Sequence, residues 1–223
     1  MSQEQRYRIA ILGGSGPQGS GLALRLARAG HEVTIGSRDA HRAVATASEL
    51  SQRIVKPITG SDNRAAAAGC DIVLLTVPYA AQRETVTSVL DVLHGKVLID
   101  ATVPLMPPKV GTVQLPQGRS AVAVIQGLLG ESVRVVSAFQ NVSSRHLNDV
   151  DHGVDCDVLV CGNDRAACDI AIALCAQMGM RGFYAGGIEN SAAAEALTSV
   201  LIAINRRYKV PGAGIRITGV AED

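Results

Sequence analysis

"RIAILGGSGPQGSGLALRLARAG", residues 8–30, runs from an apolar stretch through a dense set of glycines into an amphipathic one. Residues 8–13 read as a first strand, and residues 19–29 as a helix whose Leu22, Leu26 and Ala29 share one face and which Gly30 stops. Between them Gly14, Gly16 and Gly19 form G-x-G-x-x-G, in the strand-to-helix setting that gives this motif its meaning. The first glycine permits a tight turn, the second lets a pyrophosphate approach the backbone, and the third lets helix and strand pack closely. Amides at the helix start then face the phosphates, helped by the helix dipole. The loop Gly14, Ser15, Gly16, Pro17, Gln18 and Gly19 is therefore a candidate dinucleotide cradle, with a ligand-free glycine turn as the alternative.

About twenty residues further on, NAD-binding units of this kind place an Asp or Glu against the ribose 2′-hydroxyl. This chain has "VTIGSRD", residues 33–39, with Gly36, Ser37 and Arg38 at the strand end. A carboxylate there would repel a 2′-phosphate, whereas a guanidinium offers it charge-assisted, bidentate hydrogen bonds. The expected nucleotide is NADP, with Ser37 and Ser15 adding hydroxyls. Asp39 reads as a helix amino-cap pointing elsewhere. His41 and Arg42 either extend the basic surface or face solvent.

The rest of the chain repeats the rhythm. Residues 40–52 have helical composition, "IVKPI" (54–58) reads as an edge strand because of its Pro, and an alanine-rich helix leads to the apolar strand "CDIVLLTVP". A helix over 79–93, the strand "KVLIDATVP" and a Pro- and Gly-broken loop over 107–117 follow. Then come a helix over 120–129, strands "VRVVSAF" and "DVLVCG", a helix over 165–178, strand "GFYAG" and a helix over 191–204. Alternation at this spacing predicts an α/β fold, a Rossmann-type doubly wound parallel sheet with a small C-terminal α/β domain. The expected division is 1–142 for the NADP-binding domain and 143–223 for the smaller one.

Composition agrees. Of the 223 residues 47% are hydrophobic, with no Trp and two Phe, so the core must be Ala, Val, Ile and Leu, as where strands are buried on both faces. Lys and Arg number 21 against 20 Asp and Glu, a balance that argues against nucleic-acid binding or a polybasic membrane surface. "MSQEQRYR" lacks a signal-peptide pattern and no apolar run is long enough to span a bilayer, so a cytoplasmic protein is expected. The five cysteines (Cys70, Cys156, Cys161, Cys168, Cys175) include no C-x-x-C pair, so they read as small buried apolar residues, and no metal site is expected.

In open α/β sheets the ligand crosses the carboxyl ends of the strands. Those ends here are Val77-Pro78, Val103-Pro104 and Phe139-Gln140-Asn141. Each V-P pair stiffens its loop, which suits a wall against a flat nicotinamide and equally suits plain loop rigidity. No Ser-His-Asp order, metal spacing or well-placed Lys stands beside them. Tyr79 and His146 are the possible acids, each with packing or surface as the alternative. A hydride transfer between two redox rings needs mainly proximity and stacking, so the lack of an acid favours a cofactor-to-cofactor reaction.

"RIAILGGSGPQGSGLALRLARAGHEVTIGSRD", "CDIVLLTVPY", "RVVSAFQNVSS", "CDVLVCGND" and "SAAAEALTSVLIAIN" together resemble the coenzyme F-420-dependent NADP oxidoreductases. The resemblance covers nearly the whole chain. It implies a homodimeric enzyme that moves hydride reversibly between NADP(H) and F-420, an 8-hydroxy-5-deazaflavin that accepts hydride at carbon 5. Carried over by position, it implies that Ser15, Ser37 and Arg38 hold the 2′-phosphate, and that Val77, Pro78, Val103 and Pro104 flank the nicotinamide. Gln140, Asn141, Val142 and Ser144 would contact the carboxamide and the deazaflavin, helped by the tail over 210–212. Archaeal members tend to carry His where this chain has Gln140, which keeps a donor and an acceptor but carries no charge. No catalytic acid is assigned; Gln140 and Asn141 lie nearest the reacting rings. Arg145, Arg206, Arg207 and Lys209 are candidates for the anionic F-420 tail, or simply solvated surface.

Two other readings of the residues stand beside this one. An NADPH-dependent reductase of a flavin or a small imine or carbonyl would share the NADP half, although imine and β-hydroxyacid relatives carry a larger helical C-terminal domain. A non-catalytic NADP-sensing module would keep the glycine loop and Arg38 but have no open second cavity above the nicotinamide.

Overall fold

A computed structural model describes residues 5–220; residues 1–4, in the opening segment read above for a leader, and 221–223, at the end of the second unit, lie outside it. The first half of the chain runs β1 (Arg8–Leu12), α1 (Pro17–Arg28), β2 (Glu32–Ser37), α2 (Ala40–Ile54), β3 (Ile58–Asp62), α3 (Asn63–Ala68), β4 (Ile72–Leu75), α4 (Tyr79–Ser88) and β5 (Val97–Asp100). The second half runs α5 (Ala121–Leu129), β6 (Arg134–Ser137), α6 (Ser144–Asn148), β7 (Val158–Gly162), α7 (Arg165–Gln177), β8 (Gly182–Tyr184) and α8 (Ser191–Tyr208).

The strands make one sheet in the order β3-β2-β1-β4-β5-β6-β7-β8. Alternation along each strand divides the core in two. Ile9 and Ile11 of β1 face α1, α2 and α7 with Leu22, Leu26, Leu50 and Leu174, while Ala10 and Leu12 face α3, α4 and α5 with Ala66, Val86 and Ile125. Helices on both faces explain the four fully buried residues in each of β4 and β5. The order turns back between β1 and β4, the switch point at which such sheets open a crevice.

Four expectations need correction. The doubly wound sheet is parallel as expected except at one place, where β7 pairs antiparallel with β6, while β8 pairs parallel with β7. The connection through the short α6 brings the chain back on the side where β6 ends, so β7 runs antiparallel to β6 and extends the sheet past residue 142. The edge strand is Ile58–Asp62, not 54–58: Ile54 closes α2, Val55 takes a left-handed conformation (φ 53°), and Pro57, lacking an N–H, precedes the pairing. α1 begins at Pro17, where a proline's missing N–H costs nothing, rather than at Gly19. α8 runs to Tyr208 rather than to 204, and α6 was not foreseen.

Asp39 does cap α2, its Oδ1 accepting from the amides of His41 (2.9 Å) and Arg42 (3.3 Å). All five cysteines are buried and free; burial pushes the thiols of Cys161 and Cys168 up to about 11, far from a reactive thiolate.

Candidate functional site

A cleft of about 970 Å³ crosses the carboxyl ends of β1, β2, β4, β5 and β6. It is built upward from the glycine loop. Gly14 and Gly19 serve the protein's own packing: a Cβ on Gly14 would lie 2.8 Å from Ile11 O, and one on Gly19 would lie 2.6 Å from both Gly14 Cα and Thr76 Oγ1. Neither lines the cleft. Gly16 differs, since a Cβ there would meet only Gly13 O, at 3.4 Å. The protein leaves that position open on the cleft side, which fits backbone kept bare for a ligand. Gly16 also caps α1 without any side-chain acceptor, so the first-turn amides keep their capacity for an anion.

Ser15, Gly16, Pro17, Gln18, Ser37 and Arg38 all line this end, and Arg42 joins them although the sequence left it between cleft and solvent. No carboxylate pairs with the Arg38 or Arg42 guanidinium among the described residues. Because Asp39 is turned into the cap of α2, the basic pair keeps its positive potential.

Further along, Val77, Pro78 and Tyr79 from the end of β4 and Val103 from the end of the neighbouring β5 line the cleft. Pro104 is buried and does not line the cleft; Leu105, Pro107 and Val110 do. Gln140, Asn141, Val142 and Ser144 are brought in as a group by the turn after β6, where Phe139, buried, stands at φ 73°. A bulky residue there is strained, and the turn is held from both sides. Gln18 Nε2 donates to Phe139 O (3.2 Å), Gln140 Nε2 to Asp100 O (2.7 Å) and Asn141 Nδ2 to Ala194 O (2.7 Å).

The sequence reading missed the opposite wall. Thr198, Leu201, Ile202 and Asn205 of α8 line the cleft, as does Ala213 of the tail, whose amide donates to Asn205 Oδ1 (2.7 Å). Of the possible acids, Tyr79 lies on the cleft but His146 does not: its Nε2 pairs with Gly212 O (2.8 Å) and straps down the tail. Arg145, Arg206, Arg207 and Lys209 are not among the cleft residues, nor is His41.

Four buried side-chain polar atoms lack a partner among the described residues: Asn63 Oδ1, Thr102 Oγ1, Ser137 Oγ and Gln140 Oε1. Three belong to residues lining the cleft and the fourth ends β6 beneath it. Unpartnered polar atoms are rare in a folded core, and these gather at the cleft. Beneath the floor lie two buried carboxyls. Glu195 accepts from Ser120 Oγ and from the amides of Ala121 and Val122 at the start of α5, and Asp100 accepts from Gln82 Nε2 and the Thr102 amide. Burial raises the pKa of each, against the lowering effect of those hydrogen bonds. No group of three or more His, Cys, Asp or Glu that could hold a metal occurs among the described residues, and no described helix is long and apolar enough to cross a membrane.

Comparison with known proteins places this cleft in context. The family model described as "NADP oxidoreductase coenzyme F420-dependent" matches residues 8–104, from β1 through the V-P pair after β5. The F420-dependent NADP reductase of Methanothermobacter thermautotrophicus is 43% identical over 223 residues, 96% of this chain and 96% of that one. The enzyme of the same name from Methanocaldococcus jannaschii is 42% identical over 222 residues, 96% and 99% of the two chains. A crystal structure from Arthrobacter sp. FB24, provisionally described as an F420-dependent NADP reductase, superposes with a TM-score of 0.80 at 27% identity, covering 95% of this chain and 99% of that one. With identity above two-fifths along almost the whole of both chains, the protein belongs to the family of F420-dependent NADP reductases.

Proposed function

We propose that the protein transfers hydride reversibly between NADP(H) and coenzyme F-420 by holding the two rings face to face in the cleft. The observation that carries this reading is the continuity of the cleft. It starts at an open glycine loop beside Arg38 and Arg42, which meet no carboxylate among the described residues, runs past Val77 and Val103, and goes on to a mainly apolar wall of Val142, Leu201 and Ile202. A sensing module would have no use for that second stretch.

In this reading the loop 14–19 holds the pyrophosphate. Ser15, Ser37 and Arg38 hold the 2′-phosphate with Arg42 beside them, and Val77, Pro78 and Val103 bracket the nicotinamide, with Pro104 stiffening its loop from behind. Gln140 has its amide nitrogen committed to Asp100 O, so its free Oε1 is the acceptor for the carboxamide N–H. Asn141 is fixed to α8 and sets the spacing between the nicotinamide wall and the deazaflavin wall. When bound, the nicotinamide and the deazaflavin supply the hydride chemistry themselves. The protein supplies proximity, orientation and exclusion of water, contributions that reach several kcal/mol without any acid or base. The first unit, 1–142, then carries NADP, and 143–223 completes the deazaflavin cleft and the contacts of a cytoplasmic homodimer. Neither nucleic acid nor a membrane surface is a partner.

The test is anaerobic mixing of the protein with NADPH and oxidised F-420, following the visible absorbance of the deazaflavin, with FMN and FAD in parallel. Bleaching of F-420 alone is expected. NADPH binding without bleaching would overturn the acceptor assignment and redirect it to flavins or small imines.

A further inference from the structure

Of the carboxyls that are fully buried, Glu195 is accounted for by the helix start it caps, where two amides, the Ser120 hydroxyl and the dipole of α5 meet it. Asp100 has no such explanation. It ends an otherwise apolar strand at 0% exposure, and its carboxyl meets neutral groups, Gln82 Nε2 at 2.6 Å, the Thr102 amide at 2.8 Å and the Thr102 hydroxyl close by. No basic side chain pairs with it among the described residues. An acid kept in such a place costs stability and calls for a partner that arrives later.

Position says which partner. The next two residues, Ala101 and Thr102, line the cleft, and the Asp100 carbonyl holds the Gln140 amide. The unpartnered Gln140 Oε1 belongs to that same neighbour, and Ser137 Oγ belongs to the residue that pairs with Asp100 in the β5–β6 register. Asp100 does not itself line the cleft, but its buried carboxyl belongs to the residue immediately before the strand end that does. An oxidised nicotinamide carries a positive charge and a reduced one carries none.

We infer that Asp100 is the counter-charge of the oxidised nicotinamide: a carboxylate when NADP⁺ is bound, and a neutral acid when NADPH is bound. The inference rests on the nucleotide placement proposed above. No bond in the cofactor changes in this step. The Asp100 O–H bond breaks when NADP⁺ enters and the proton leaves to solvent; it forms again from solvent when the neutral ring replaces the cation. Asp100 is then a positioning residue that sets how the cleft weighs the two redox forms. The charged group facing it from the packed elements is Glu195 of α8, of like sign, which favours the proton; Gln82 from α4 and Ser137 from β6 are neutral. The 2′-phosphate titrates in both nucleotides alike and cancels from their ratio.

The experiment is titration of the full-length protein with NADP⁺ and with NADPH at several pH values, together with calorimetry in buffers of different ionisation enthalpy to count protons. Binding of NADP⁺ should release more protons than binding of NADPH. The ratio Kd(NADP⁺)/Kd(NADPH) should fall as pH rises, by about tenfold in total, the order expected for two unit charges that interact through protein. In Asp100→Asn the ratio should shift about tenfold toward NADPH and lose its pH dependence. A folded Asp100→Asn protein with the parent ratio and slope would overturn the inference. So would a flat ratio in the parent protein, which decides the matter even where the variant does not fold. Failure of both nucleotides to bind would instead sink the NADP placement itself, and the inference with it.

Discussion

Replacing Arg38 by Ala tests the cofactor assignment at its most specific point. A hydrogen bond to a charged partner contributes about 1.5–3 kcal/mol when it is well formed. Arg38 is exposed and Arg42 lies in the same end of the cleft, so solvent screening and a neighbouring cation place the loss at the low end. A loss of about 1.5 kcal/mol is roughly tenfold in Kd. NADH, which lacks the 2′-phosphate, should bind Arg38→Ala as it binds the parent. The Arg38→Ala/Arg42→Ala pair should lose more NADPH affinity than either variant alone, and raised salt should narrow the gap, because the contacts lie within a Debye length of bulk ions. The assay is titration of nucleotide fluorescence with NADPH and NADH in parallel. Equal losses for the two nucleotides would refute the argument, because they would mean that Arg38 supports the loop and not the phosphate.

Two further outcomes follow from the geometry. Gly19→Ala would push a Cβ to 2.6 Å from Gly14 Cα and should cost roughly 1–3 kcal/mol in thermal unfolding. Gly16→Ala, at φ −86° with its nearest neighbour 3.4 Å away, should melt like the parent yet bind NADPH poorly; parent-like binding would show that no phosphate approaches this backbone. The second concerns acid. Burial alone would raise the Asp157 carboxyl, but the forked bonds from Arg181 (2.9 and 2.6 Å) and the Ile217 amide (2.6 Å) outweigh it and hold it below the usual carboxylate range. A depressed carboxylate stabilises the fold above its unfolded value, about 3.9, and that support is lost as pH falls through the folded value. Asp157→Asn should therefore melt below the parent at neutral pH, and the gap should close toward pH 3 or lower. A gap of constant size would show that packing, not charge, sets the effect of the substitution.

The sequence conveyed most where one residue type has one physical use. Buried strands had to be apolar on both faces, so "IVLL" and "VLID" were legible, and the glycine loop stood out because its setting matched its spacing. Arg38 drew attention because no carboxylate stands where NAD would need one, and it does line the cleft. What escaped depends on contacts across the chain. Thr198, Leu201, Ile202 and Asn205 look like any amphipathic helix, and only the docking of α8 through Asn141 turns them into a cleft wall. The antiparallel entry of β7 is likewise set by how the segment between β6 and β7 packs, which no local period encodes. Asp100 did leave a signal: a lone carboxylate closing an apolar strand is costly unless something at the strand end needs it.

The braces around the cleft show where its precision resides. Gln18 and Asn148 tie the loop of α1 to the opposite wall, through Phe139 O and Pro17 O, and Arg25 in the last turns of α1 donates to the carbonyls of His146, Leu147, Asp149 and His152. Gly21 permits this contact, since a Cβ there would stand 2.5 Å from Leu147 Cβ. The helix whose start lines the cleft is thereby fixed to the segment that presents Gln140 to Ser144. Phe139 completes the joint at φ 73°, a conformation that costs about 1–3 kcal/mol and persists only where neighbours over-determine it. That strain turns Gln140 down onto β5 and Asn141 across to α8. In the function proposed above, rate depends on the distance between two rings, and these bonds are the ones that would set it.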